Sequence, residues 1–155
     1  MLIKGQKADN IRFADTMKED CFEKTDMRFV IANPLRAFLG SKDAGDGVEK
    51  AVRAEAKKGK NGRIRCGTSR YRRISQLLFM QHAIAKMNRK NGRAAIISNG
   101  SPLFSGNTTS GESQIRRFML EKDLIEAIIA LPSQLFYNTD IGIYAFILSK
   151  NKRKE

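Results

Sequence analysis

The sequence has little of what metal sites and disulfide frameworks require. It contains two cysteines, Cys21 and Cys66, and one histidine, His82. The cysteines are far apart and form no CxxC pair, so neither a zinc site nor a disulfide framework is predicted. His82 has no carboxylate or cysteine at a ligand spacing, and we interpret it as a structural residue. No metal is therefore expected, and the two thiols suit a reducing compartment.

Long apolar segments are also absent. The N-terminus, MLIKGQKADN, has no apolar stretch of the kind that forms a signal peptide. No later run approaches about 18 residues, the length typical of a membrane-spanning helix. We therefore expect a cytoplasmic protein without a membrane partner.

Acidic residues are scarce relative to basic ones. The 155-residue chain has 29 Lys and Arg against 16 Asp and Glu, a formal net charge of +13. This excess favours a polyanionic partner such as nucleic acid, although a basic solvated surface or affinity for anionic lipid would give the same balance. Ten basic residues and one acid lie in residues 50–73. They belong to a polar segment, residues 40–73, that we predict to be a long basic loop in contact with phosphate.

The apolar residues that are present predict one folded domain. They make up 41% of the chain, enough for a core at this length. Short runs rich in Ile and aromatic residues are typical of strands covered on both faces. These runs are residues 11–14, 28–33, 93–98, 124–131 and 143–149.

Two helical patterns lie among these runs. Residues 74–87, ISQLLFMQHAIAKM, are apolar at helical spacing and on much of the remaining surface, which predicts a deeply packed helix. Residues 110–123, SGESQIRRFMLEKD, carry one apolar stripe, and Thr109 with Glu112 resembles a capping box at its start. Strands alternating with helices predict an α/β fold with a largely parallel sheet and ligand sites at the carboxyl ends of the strands.

One candidate site is Asn33-Pro34, where the apolar run FVIA stops. A proline there can simply end a strand, because it cannot donate a backbone hydrogen bond. Alternatively, an Asn carboxamide and the adjacent carbonyl can accept hydrogen bonds from an exocyclic amine and position its nitrogen for alkyl transfer. On duplex DNA such chemistry needs a flipped base and an aromatic ring to stack on it, and the nearest aromatic residue is Phe38.

A second candidate is the loop of residues 99–113, NGSPLFSGNTTSGES. A helix that begins there could hold phosphate on its free backbone N–H groups. We favour a capped connection between a strand and a helix. The loop is not a Walker motif, because the GK[ST] ending is absent.

Taken together, these segments resemble the catalytic domain of the modification (M) subunit of type I restriction-modification systems, an adenine-specific DNA methyltransferase that uses S-adenosylmethionine. The similar stretches are residues 98–152, 77–87 (LLFMQHAIAKM), 62–67 (GRIRCG) and 4–17 (KGQKADNIRFADTM). The resemblance implies a partial Rossmann-like methyltransferase fold. Residues 1–150 would form the C-terminal part of the catalytic domain, and residues 151–155 a basic tail.

The resemblance also implies roles for individual residues and partners. Asn33 and Pro34 would be the first two residues of an Asn-Pro-Pro-aromatic motif that binds the amine of a flipped adenine. Asp15 would contact the adenosine part of S-adenosylmethionine. The implied partners are double-stranded DNA, a specificity (S) subunit and a restriction (R) subunit. The basic residues expected to contact DNA are Arg63, Arg70, Arg72 and Arg73.

The sequence departs from the family pattern around this motif. Leu35 and Arg36 stand where the family has a second proline and Phe or Tyr, and Arg28 stands where it has an Asp. The glycine-rich cofactor loop of the family would precede Met1. We therefore expect a truncated subunit with little or no methyl transfer on its own. The alternative is a non-catalytic basic module that binds DNA or another subunit.

Overall fold

The computed structural model describes residue 5 and residues 8–34, 45–65, 71–136 and 140–152. The strands are β1 (Phe29–Ala32), β2 (Arg93–Asn99), β3 (Ile125–Ala130) and β4 (Ile143–Ser149). The helices are α1 (Gly45–Lys57), α2 (Tyr71–Lys86), α3 (Ser101–Phe104) and α4 (Gly111–Glu121), with short 3₁₀ helices at Ala8–Asn10 and Gly59–Asn61. In these ranges no helix combines the length and the apolar character that crossing a membrane requires.

The four strands form one mixed sheet in the order β1-β2-β4-β3. β1 pairs with β2 in parallel, and β4 runs antiparallel to both β2 and β3. The α/β class is thus confirmed, but a largely parallel pairing is wrong. A parallel pair needs a crossover, which α1 and α2 supply between β1 and β2. In the part of the β3–β4 connection that the structure describes there is no helix, and the two strands pair as antiparallel neighbours.

The apolar core lies between α2, α4 and one face of the sheet. Leu77, Leu78 and Met80 of α2 are at most 2% exposed. They share one core cluster with Ile96 of β2 and Phe146 of β4. Both predicted helices are therefore confirmed, and the deep packing of α2 follows from its apolar residues on several sides.

The other face of the sheet exposes apolar side chains on the outer strand β1. Phe29 and Ile31 are 62% and 84% exposed, whereas Val30 and Ala32 alternate with them and pack against the core. Ile129 on the other outer strand, β3, is 49% exposed. The expectation that every strand is covered on both faces is therefore wrong for β1 and β3.

Residues 11–14, predicted as a strand, have no regular structure. Ile11 and Phe13 are exposed, and the run pairs with no strand among the residues described. A turn follows immediately, in which Asp15 Oδ1 accepts a hydrogen bond from the Met17 N–H at 2.9 Å. The side chain of Asp15 thus ends the run after four apolar-rich residues, too few to direct a strand without a pairing partner.

The segment of residues 40–73, predicted as one long loop, contains helix α1. Val48 and Val52, four residues apart, are 4% and 0% exposed, and Glu49 pairs with Arg53 at 2.6 Å on the outer side. Two valines within a strongly charged stretch are a weak periodic signal, although i, i+4 spacing is the helical one. The segment also contains the 3₁₀ helix Gly59–Asn61 and the start of α2, while residues 40–44 and 66–70 lie outside the described residues.

Helix α4 is capped by Ser110 and not by Thr109. Ser110 has an extended backbone, and its side-chain oxygen accepts a hydrogen bond from the Ser113 N–H at 3.2 Å. The predicted capping box was one residue too early, because Ser110 is also a good capping residue and its Oγ reaches the third helical position.

Replacing Ser110 by alanine should lower the free energy of unfolding by about 1 kcal/mol, because the Ser113 N–H loses its acceptor. Thr109→Ala is the matched control and should change it by less than about 0.5 kcal/mol. Urea unfolding followed by circular dichroism gives both values. Equal losses in the two variants would contradict the assignment of the cap.

Candidate functional site

Asn33 and Pro34 directly follow β1. Because β1 and β2 are parallel, their carboxyl ends meet at the same edge of the sheet, where ligands bind in α/β folds. The Asn33 side chain is exposed and Pro34 is partly buried. A ligand can therefore reach the Asn33 carboxamide from solvent. Leu35, Arg36 and Phe38 lie outside the described residues.

The end of β2 at this edge is held by two side chains. The buried Ser98 hydroxyl donates a hydrogen bond to Gln76 Oε1 of α2 at 3.0 Å. Asn99 Oδ1 accepts one from the Ser101 N–H at 2.9 Å. The first contact ties the N-terminal half of α2 to the edge that carries Asn33, and the second fixes the entry into α3.

An exposed aromatic ring lies beside the end of β2. Phe104, the last residue of α3, is 77% exposed. A methyl group placed on Gly100 would lie 3.5 Å from the Phe104 ring and 3.4 Å from the Tyr144 ring. Both rings thus flank Gly100. Sequence reasoning missed Phe104 because it stands alone in a segment rich in Ser and Gly.

Asp15, the predicted cofactor contact, has an exposed carboxylate. Its Oδ1 atom accepts hydrogen bonds from the Met17 and Lys18 N–H groups at 2.9 and 3.4 Å. Within the described residues, Oδ2 has no such bond. The carboxylate is therefore held by its own turn while one oxygen stays available to a donor.

Arg63, one of the predicted DNA contacts, lies inside the protein, with its side chain 13% exposed. Its Nη1 donates to the Thr16 carbonyl at 2.6 Å and lies 3.3 Å from His82 Nδ1. Its Nε is 3.6 Å from Glu55 and 3.9 Å from Asp20. Arg63 joins α1, α2 and the segment before β1, and we assign it a structural role.

Two of the other predicted DNA contacts lie at the start of α2. Arg72 and Arg73 belong to the first turn of this helix, whereas Arg70 lies outside the described residues. Because Gln76, one turn further along, bonds to the end of β2, this turn lies at the same edge as Asn33.

Lys86 and Asp20 form a buried ion pair next to Arg63. Their nitrogen and oxygen atoms are 2.6 Å apart, and both side chains are 7% exposed. Burial acts to raise the pKa of Asp20, but hydrogen bonds from Lys86 and the Phe22 N–H, with the charge of Lys86, lower it below its usual value. Asp20 therefore stays ionised and holds the segment before β1 against α2.

His82 is neutral within this cluster. Burial, together with the charge of Arg63, lowers the pKa of His82 to about 4. The neutral ring can accept the hydrogen bond of the Arg63 guanidinium at Nδ1. This contact supports the interpretation of His82 as a structural residue.

The pKa of His82 predicts that stability falls with decreasing pH. The unfolded residue takes up a proton near pH 6.5 and the folded one only near pH 4, so acid favours the unfolded state in this window. His82→Gln keeps an acceptor for Arg63 and should reduce this dependence by the contribution of His82. Urea midpoints measured between these two pH values test the prediction. An unchanged pH slope in the variant would contradict it.

Residues 99–113 connect β2 to α4, and hydrogen bonds within the protein hold this connection. Arg116 of α4 donates to the carbonyls of Pro102 at 3.1 Å and Ser105 at 2.7 Å, and Ser110 caps the helix. These contacts support the interpretation of a capped strand-to-helix connection. In the described portion of the chain, no three His, Cys, Asp or Glu side chains converge as metal ligands.

Comparison with known proteins identifies the family. Residues 1–155 match the family described as N-6 DNA Methylase. The chain belongs to this family. It is 34% identical over 77 residues to the HindI type I restriction enzyme methylase subunit of Haemophilus influenzae. This match covers 50% of the present chain and 17% of the HindI subunit. It is 29% identical over 156 residues to the MjaIX type I restriction enzyme methylase subunit of Methanocaldococcus jannaschii. This match covers 98% of the present chain and 25% of the MjaIX subunit.

Solved structures of N-6 DNA methylases share the fold. The methyltransferase subunit of a type I restriction-modification system from Streptococcus thermophilus superposes with a TM-score of 0.72 at 27% identity, over 98% of this chain and 30% of that one. The EcoKI M protein has the same fold, with a TM-score of 0.60 at 22% identity. The Rossmann-like methyltransferase fold and the resemblance to type I modification subunits are thus confirmed. The chain spans at most 30% of the length of these longer proteins.

Proposed function

We propose that residues 1–155 form the adenine-binding part of a type I modification subunit, which transfers a methyl group to the exocyclic amine of adenine in DNA. The observation that supports this best is the exposed Asn33 at the shared carboxyl edge of β1 and β2. The relatives are named methylase subunits, which favours this function over a non-catalytic binding module. The rest of a full-length subunit would complete the active site.

Asn33 and the turn that follows it would position the adenine amine. This nitrogen is a weak nucleophile, because its lone pair is delocalised into the ring. Hydrogen bonds from its two N–H groups to Asn33 Oδ1 and to a backbone carbonyl of the turn would hold the nitrogen with its lone pair free for attack. The nitrogen would carry a positive charge once it is methylated and would then be acidic, so its proton can leave to solvent without a strong general base. S-adenosylmethionine, when bound, supplies the electrophilic methyl group.

The Asp15 carboxylate fits one contact to this cofactor. Membership of a DNA methylase family implies the use of S-adenosylmethionine. The oxygen of Asp15 that is without an internal hydrogen bond among the described residues can accept one from the adenosine part. We propose this role for Asp15, with the remaining cofactor contacts supplied by the rest of a full-length subunit.

Phe104 is our candidate for the ring that stacks on the flipped adenine. Leu35 and Arg36 replace the proline and aromatic residue of the family motif. A flipped base is commonly held between aromatic or apolar side chains. Phe104 is exposed beside the end of β2, on the edge that carries Asn33.

The test of the proposed function uses a full-length chimera in which residues 1–155 replace the aligned part of the MjaIX subunit, assembled with a specificity subunit. Leu35→Pro and Arg36→Phe restore the family motif and should raise the basal rate. In that background, Asn33→Ala should lower methyl transfer roughly 100-fold or more, because the amine is no longer positioned. Transfer of tritiated methyl groups from S-adenosylmethionine to mixed-sequence duplex DNA gives the rate.

The matched control for this chimera is Asn151→Ala. Asn151 is exposed just after β4, at the opposite edge of the sheet from Asn33. Its replacement should change the rate by less than about twofold, as expected of a surface site away from the chemistry. Nearly full activity of the Asn33→Ala chimera would overturn the proposed role of the turn.

We also propose that the start of α2 contacts the DNA backbone. Arg72 and Arg73 lie in its first turn, and Arg70 is close in sequence. Arginine on an edge that receives DNA can bind phosphate without reading the base sequence. Specificity and restriction subunits are the proposed protein partners, because the relatives are named as subunits of type I restriction enzymes.

Replacing Arg70, Arg72 and Arg73 by glutamine should weaken DNA binding and flatten its salt dependence. The slope of log K against log salt should decrease by about 0.9 for each phosphate that is no longer neutralised. A variant with glutamine at the exposed Lys24, Lys90 and Arg117 has the same net charge and is the control. Fluorescence anisotropy with a mixed-sequence duplex gives both slopes. An unchanged slope in the first variant would show that these arginines face solvent.

A further inference from the structure

A second candidate binding site lies at the opposite edge of the sheet. A cavity of about 540 Å³ is lined by the C-terminal ends of α2 and α4, by Lys150 just after β4 and by Arg65. These elements meet where β1 and β2 begin, because Met27 pairs with Met87 and Arg93 with Ser149. The length of β2 separates the cavity from Asn33 by about 20 Å.

The cavity is basic. Six of its lining residues are Lys or Arg and three are acidic. Two of the basic residues are neutralised inside the protein, since Lys86 pairs with Asp20 and Arg63 with Glu55. The four that remain are Arg65, Arg89, Lys122 and Lys150, against Glu23 and Asp26. Within the described residues, none of these four has an acidic partner within ion-pair distance.

Lys150 is a partly buried member of this group of cations. Its ammonium group donates to the Met87 carbonyl at 2.5 Å. Burial, followed by the charges of Arg65 and Arg89, lowers the pKa of Lys150, and Asp26 opposes this only in part. The charges of Arg65 and Arg89, which also line the cavity, therefore act against the charge of Lys150.

The guanidinium of Arg65 is held in place by an aromatic ring. It lies over the Phe118 ring at 5.8 Å from the centroid, and the backbone N–H of Arg65 donates to Gln81 Oε1 at 2.8 Å. The ring contact and the anchored backbone thus place the Arg65 guanidinium beside the cavity. A bound anion would relieve the repulsion among the cations that line it.

We propose that this basic cavity binds a phosphate group, either of a free nucleotide or of a nucleic acid backbone. Phosphate oxygens accept the charge-assisted hydrogen bonds that Arg and Lys donate. The volume lies in the range of pockets that bind small molecules. The site is separate from the Asn33 turn and does not depend on the proposed methyl transfer.

The test measures binding of inorganic pyrophosphate to the chain by isothermal titration calorimetry at about 0.15 M salt, where charges outside the cavity are screened. Arg89→Gln/Lys122→Gln removes two exposed charges of the cavity, so the fold should be retained. We expect its affinity to fall roughly tenfold or more, because two charge-assisted hydrogen bonds are lost. Lys24→Gln/Lys90→Gln removes the same charge outside the cavity and should change the affinity by less than about twofold.

Two results would overturn the proposal: no pyrophosphate binding by the unmodified chain, or equal losses in the two double variants. A second titration with a short DNA duplex then identifies the source of the phosphate. If pyrophosphate displaces the duplex and Arg89→Gln/Lys122→Gln weakens duplex binding, the backbone of nucleic acid occupies the cavity. If duplex binding is unchanged in both respects while Arg89→Gln/Lys122→Gln still weakens pyrophosphate binding more than the control variant does, the ligand is a free phosphate compound.

Discussion

The parallel pairing of β1 with β2 determines where every candidate group lies. It brings the carboxyl ends of the two strands, with Asn33 and Asn99, to one edge of the sheet. It also requires a crossover, and α2 runs back between the two edges. The Ser98–Gln76 hydrogen bond joins the N-terminal half of α2 to the edge of Asn33, and the Met27–Met87 bridge joins its end to the other. The backbone of the first turn of α2 therefore lies at the same edge as Asn33 as a consequence of strand pairing.

Burial of side chains is uneven between the two faces of the sheet, and a buried ion pair lies on one of them. Phe29 and Ile31 remain exposed on one face, and covering such side chains is worth about 1.5–3 kcal/mol each. On the other face, Lys86 and Asp20 are buried together. Removing one partner of such a pair leaves an uncompensated charge and costs about 3–5 kcal/mol. The segment before β1 is thus held by an ion pair in which neither partner can be removed without a large loss of stability. The exposed apolar face, in contrast, would gain stability from burial of Phe29 and Ile31 under an apolar element packed on it.

Local patterns in the sequence predict some of this structure and fail where distant contacts decide it. The strand of residues 143–149 is predicted to the residue, because it is a long apolar run rich in Ile and Phe. Helix α1 is missed, because its buried side consists of two valines and Glu55 in a charged segment. Arg63 is predicted to contact DNA, yet its guanidinium is bonded to the carbonyl of Thr16, which lies 47 residues away in sequence. No local pattern contains that contact.

The burial of Arg63 changes how the net charge of +13 is understood. A basic composition favours a polyanion as partner, but only cations without an internal acceptor can contribute to binding one. Arg63 and Lys86 are neutralised by carboxylates of the protein itself. Lys150, which composition alone would not distinguish from any other lysine, is held near two further cations. Among the described residues, the distribution of internal acceptors, more than the number of basic residues, therefore selects the cavity around Lys150 as a region where a phosphate group is expected.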